Sequence, residues 1–172
     1  MENNSIKAFL TYYEQTRSTT LKVIGVIPPQ YIEWTYKKGK FTIGDLLRHI
    51  AAIERYVFAE VAIGNKPAYQ GCGIDLAAGY ENVIQYFNEM HLQTMNILES
   101  LTDEDLKREI TAINGQKTTI GKFLRALVLH EIHHRGALSI YLNLLDVKVP
   151  PLLGITEEQV KALSSSYHKY GN

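Results

Sequence analysis

Over residues 120–145 apolar side chains recur at three- and four-residue steps, Ile120, Phe123, Leu127, Ala137, Tyr141 and Leu144, and His130 and His134 fall on the same stripe. A stripe of that length and period predicts a long helix with one face turned to a core. Two imidazoles inside such a seam are out of place unless the interior has a use for them.

Three more stretches supply partners. Residues 5–27 carry Ile6, Leu10, Tyr13, Leu21 and Ile24 at helical spacing and end at Pro28-Pro29. Over 43–63, Leu46, His49, Ile53, Tyr56 and Glu60 share a face, Arg48 and Arg55 point elsewhere, and Thr42 with Asp45 three residues on forms a capping signal. Over 76–101, Ile84, Phe87, Met90, Ile97 and Leu98 form the apolar side. Residues 34–41 predict a short hairpin or extended arm, and 64–75, with Pro67, Gly71 and Gly73, a loop that crosses the end of a bundle. In 109–118, Asn114-Gly115 favours a tight hairpin, and a short helix from Thr156 is expected to cover one edge. Thr42-Ile43-Gly44 with Leu47-Arg48 is echoed by Thr119-Ile120-Gly121 with Leu124-Arg125, suggesting corresponding helix starts. The expectation is an all-α four-helix bundle with hairpin-like connections and a C-terminal helix, one domain over 1–172.

Lys+Arg and Asp+Glu are both 18, so no basic field recruits nucleic acid. The N-terminal MENNSIKAFL lacks the blocks of a secretory signal, and the one cysteine, Cys72, has no intramolecular partner. Charges interrupt every apolar run before membrane-span length. A cytoplasmic protein that neither crosses a membrane nor binds nucleic acid is expected, forming a homodimer through an exposed bundle face.

Residues four apart on a helix differ by about 40° in direction, so His130 and His134 can aim at one ion, while His133, about 100° from His134, is expected to stay off it. His49 from a facing helix completes a three-nitrogen set suited to zinc, nickel or iron, with coordination positions left for water or substrate. HEIHH formally matches the HExxH of metalloproteases, but no edge strand is predicted to hold a peptide, and Glu131 is expected at the surface or behind the ligands. Arg135 is expected to pair with Glu131 across one turn. Tyr56 reads as packing, and Glu60 continues the His49 face toward a pocket. Cys72 has no cation beside it to activate it, and His91 and His168 lack partners at ligand spacing.

The segments TIGDLLRHIAAIERY and LVLHEIHHRGALSIYLNLLDVKVPPL resemble the DinB-like family of damage-inducible and thiol-transferase proteins, with HEIHHRG the most specific string. The resemblance implies a four-helix bundle whose metal ligands correspond to His49, His130 and His134. It also implies a metal-dependent transfer of a low-molecular-weight thiol to an electrophilic small molecule in detoxification or stress response. Many relatives have glutamine where this chain has Ala137. Three imidazoles alone leave open hydrolysis of a small amide or ester, or a non-enzymatic metal or small-ligand binding role.

Overall fold

The structure is a computed structural model and describes residues 5–152 and 154–167, with side chains as far as 165; His168 lies outside the described residues. Helix α1 (Ile6–Ile24) ends where Gly25 caps it, and a 3₁₀ turn, Pro29–Tyr31, carries the chain round. Helix α2 (Ile43–Ile53) begins at a complete capping box: Thr42 Oγ1 accepts from Asp45 N, and Asp45 accepts from Thr42 N, both at 2.9 Å. It runs on through π-helical turns, Glu54–Ala59, into a last α-helical turn, Glu60–Ala62. Helix α3 is Tyr80–Leu98, α4 is Ile120–Leu144 and α5 is Glu157–Tyr167.

The predicted hairpin is present as β1 (Glu109–Thr111) and β2 (Lys117–Thr119), antiparallel, with Gly115 at φ 80° in its turn. Residues 34–41 form consecutive turns instead of a hairpin or an extended arm; Thr35 Oγ1 donates to Lys37 O, and the Lys40 amide to the same carbonyl. The internal echo marks equivalent helix starts. Thr119 Oγ1 accepts from Lys122 N as Thr42 does from Asp45, and the amides of Ile43 and Ile120 each bond a carbonyl of the preceding segment, Trp34 O and Arg108 O. Helix α5 does not cover an edge: every residue from Glu157 to Ser165 is exposed.

The core falls into two apolar halves. One gathers Val23, Ile43, Leu47, Val83, Phe87, Leu138 and Leu142, the other Phe9, Val57, Met95, Leu98, Ile120, Leu124 and Leu127. Helices α1 and α4 pass from the second half to the first along the sequence, whereas α2 and α3 pass from the first to the second. So α2 and α3 are parallel, and residues 63–79 must return along the bundle rather than merely cross its end. These two helices also make the most extensive contact, followed by α1 with α4.

Between the halves lies a buried polar layer, with Arg17, Thr20, Glu54, Thr94, Glu131 and Arg135 all buried. Arg17 reaches both carboxylates, contacting Glu54 and standing 3.0 Å from Glu131 Oε2, with its guanidinium 4.1 Å above the Phe87 ring. Tyr13 donates to Glu54, and Thr20 Oγ1 donates to Glu131 Oε1 at 2.6 Å. Glu131 is therefore neither a surface residue nor free to act as a base, and burial pushes its carboxyl up. Arg135 does not pair with it; Nη1 donates to Thr16 O and Thr20 Oγ1 at 3.2 and 3.3 Å. His91, which has no partner at ligand spacing, closes the layer with Nδ1 3.3 Å from Glu54 and its ring edge-on to Tyr13.

Candidate metal centre

His49 lies midway along α2, at the level where the apolar seam gives way to the polar layer, and α4 presents His130 and His134 opposite it. The three offer ring nitrogens that all lie within 4.8 Å of one another. His49 Nε2 and His130 Nε2 stand 3.1 Å apart, and the ring centroids are 5.0, 4.7 and 4.5 Å apart for the pairs 49–130, 49–134 and 130–134. Two nitrogens bound to one zinc at about 2.0–2.1 Å stand about 3.3 Å apart across a tetrahedral angle. The pair 49–130 is close to that separation, and the donor chemistry fits zinc, nickel or iron. All three imidazoles are half-buried, so one side of the set faces solvent. His133 is exposed and outside the cluster, its ring 5.0 Å from that of His134.

Burial holds His49 below the ordinary histidine range. Burial, with the neighbouring imidazoles added, lowers His130 to about 3 and His134 to about 4. At neutral pH all three are uncharged and each has a lone pair to give. His49 Nδ1 is 2.9 Å from the Tyr69 hydroxyl, whereas His130 Nδ1 is buried without a hydrogen-bond partner.

The walls of the site come from residues that spacing did not single out. Phe41 tilts over His49 at 5.3 Å, Tyr69 meets it edge-on at 5.8 Å, and Phe58 lies 6.3 Å from His130. Two of these ride on loops fastened by Arg48, which is fully buried rather than pointing away. Its guanidinium holds Glu33 at 2.9 and 3.0 Å and Asp45 at 2.7 Å, and donates to Cys72 O at 2.9 Å and Ala77 O at 2.7 Å. Gly44 gives it room: a Cβ there would lie 3.0 Å from Glu33 Oε1 and 3.1 Å from the Arg48 nitrogens.

Glu60 does not reach the site. The π-helical turns upset the 100° count after residue 53, and Glu60 bonds Arg55 and Asn65 instead. Tyr56 packs, as expected, with the Arg55 guanidinium 5.2 Å from its ring. Burial pushes the Cys72 thiol up, in keeping with an unactivated cysteine.

Fold and site together define a class, helical bundles that converge histidines from two facing helices on one point. The chain belongs to the DinB superfamily, whose family model matches residues 12–138. It is similar to the uncharacterized protein YjoA of Bacillus subtilis, 28% identical over 144 residues that make up 82% of this chain and 88% of YjoA. Its fold is that of YfiT from Bacillus subtilis, described as a probable metal-dependent hydrolase with an unusual four-helix bundle topology. The TM-score is 0.65 at 15% identity, over 86% of this chain and 91% of that one. The mycothiol-dependent maleylpyruvate isomerase, as its H52A mutant, also superimposes with TM-score 0.65, at 9% identity over 77% of this chain and 60% of that one. No helix among the described residues is long and apolar enough to cross a membrane.

Proposed function

We propose that the protein is a divalent-metal-dependent enzyme that transfers a low-molecular-weight thiol to an electrophilic small molecule. The observation that carries the reading is the set of three neutral, half-buried imidazoles, His49, His130 and His134, that leave one side open. These residues would hold the ion. A divalent ion bound there supplies positive charge that lowers the pKa of a coordinated thiol or water. The imidazoles bring no negative charge of their own, so that effect is not diluted by the ligands. Phe41 and Phe58 give the triad apolar neighbours on the sides of His49 and His130.

Likeness in fold to a mycothiol-dependent enzyme supports thiol as the nucleophile, and likeness to YfiT supports metal-assisted hydrolysis as the second reading. The position of Glu131 weighs against hydrolysis. It is the carboxylate nearest in sequence to the triad, yet it is fully buried and bonded to Thr20 and Arg17, so it cannot deprotonate water at the open side.

The test is metal analysis of the purified protein, then consumption of bacillithiol, mycothiol and glutathione against a model electrophile, with and without chelator. Chelator-sensitive thiol loss supports transfer. Bound metal with turnover of esters or amides but no thiol loss favours hydrolysis, and metal without turnover of either favours a binding role.

A further inference from the structure

The imidazole of His49 is gripped from behind. Its Nδ1 lies 2.9 Å from the Tyr69 hydroxyl, and its Nε2 lies 3.1 Å from His130 Nε2. Each contact needs one hydrogen, and a neutral histidine carries only one, so His49 donates in one contact and accepts in the other, which leaves two arrangements. His130 decides the direction. Its Nδ1 is buried with no partner, and a buried N–H without an acceptor is rarer in proteins than an acceptor without a donor. His130 therefore keeps its hydrogen on Nε2 in the metal-free chain and donates it to His49 Nε2. That nitrogen must then be a lone pair, which puts the His49 hydrogen on Nδ1, pointing at Tyr69.

We propose that Tyr69 is a positioning residue that accepts a hydrogen bond from His49 Nδ1–H and so presets His49 as an Nε2 ligand. Its consequence for metal affinity rests on the metal-site reading above; the tautomer itself does not. The phenol can serve as acceptor because its oxygen carries lone pairs besides the hydrogen it can turn elsewhere.

The loop is built to bring the phenol to this place. Immediately before Tyr69, the Ala68 amide donates to Tyr56 O in the π-helical turns of α2, at 2.8 Å. Three residues after it, Cys72 O accepts from Arg48 Nε at 2.9 Å. Tyr69 is thus pinned on both sides to the helix that carries His49, one anchor coming from the residue adjacent to that histidine. Outer hydrogen bonds of this kind fix ring orientation and ligand basicity, and their loss lowers metal affinity about 10- to 100-fold.

Tyr69→Phe keeps the ring edge against His49 and removes only the oxygen, so it isolates the hydrogen bond. The measurement is long-range ¹⁵N–¹H NMR of the imidazoles in the full, metal-free chain, followed by Zn²⁺ titration of both forms. The expected result is a single Nδ1–H tautomer for His49 in the wild type, a mixture or the Nε2–H form in Y69F, and Zn²⁺ affinity at least about tenfold lower in Y69F. A role in packing alone would not move the tautomer. The inference is overturned if wild-type His49 is the Nε2–H form, if Y69F leaves the tautomer unchanged, or if Y69F binds Zn²⁺ as tightly as the wild type. If the wild type binds no Zn²⁺, the metal-site reading falls, and the NMR comparison still decides the role of Tyr69.

Discussion

Each imidazole of the triad stays neutral at a pH where a free histidine would begin to charge. The folded protein resists taking up protons that the unfolded chain accepts near pH 6.5, so stability of the metal-free protein is expected to fall as pH drops from about 6.5 toward 4. Urea midpoints at pH 7 and pH 5 check this, and His130→Ala should flatten the difference, since His130 is lowered to about 3 by burial and its neighbours. The same shift predicts that bound metal survives at pH 5.5, where free imidazole is mostly protonated. His130→Ala and His134→Ala should each weaken metal binding by at least about 100-fold, beyond what loss of an outer partner does, and His133→Ala should leave it intact; calorimetric titration with Zn²⁺ reads all three. Arg17 carries a different weight. It is the guanidinium that reaches both buried carboxylates, Glu54 and Glu131. Arg17→Met should destabilise the fold by about 3–5 kcal/mol, and adding Glu54→Gln and Glu131→Gln should recover part of that. Urea denaturation of the single and triple variants measures it.

Within the elements, glycines at helical positions test the packing. A Cβ on Gly121 would lie 3.2 Å from the Leu106 carbonyl oxygen, a backbone atom that cannot swing away, so Gly121→Ala should cost about 1–3 kcal/mol. Gly136, which follows His134 and Arg135 on the same helix, has open space beside it. A Cβ there meets nothing within 4 Å, and Gly136→Ala should stabilise α4 by up to about 1 kcal/mol. Thermal melts distinguish the two. Much of this level was legible in the residues: the four long helices, the Thr42 cap, the Asn114-Gly115 hairpin and the convergence of His49 with His130 and His134 all follow from local chemistry and a 100° step. What escaped has one physical root, that polarity does not settle which way a side chain faces. Arg17, Arg48 and Glu131 are buried because they find partners inside, while Leu21 and Leu144, placed on apolar faces by spacing, are 39% and 59% exposed. The π-helical turns had no compositional mark either, and they carried Glu54 inward and Glu60 away from the site. Tyr69 comes from a loop, where no period links it to His49.

For the whole molecule, the two apolar halves and the layer between them form one stack that every long helix traverses. Its order in space departs from its order along the chain, because α2 and α3 run parallel and residues 63–79 make the return. The polar groups that must meet in the middle are far apart in sequence: Thr20 and Glu131 are separated by 111 residues, and Arg135 and Thr16 by 119. That separation bears on how the protein is made. A chain emerging from the ribosome completes α1, α2 and α3 while Arg17 and Glu54 still lack Glu131, and the half-formed bundle holds a charge pair short of its last member. Closing the largest loop comes last, so refolding is expected to be slower than for an up-and-down bundle of equal length, whose neighbours in sequence are neighbours in space. Stopped-flow refolding checks this, and the consequence in a cell is a nascent chain that stays exposed to chaperones until its final long helix is released.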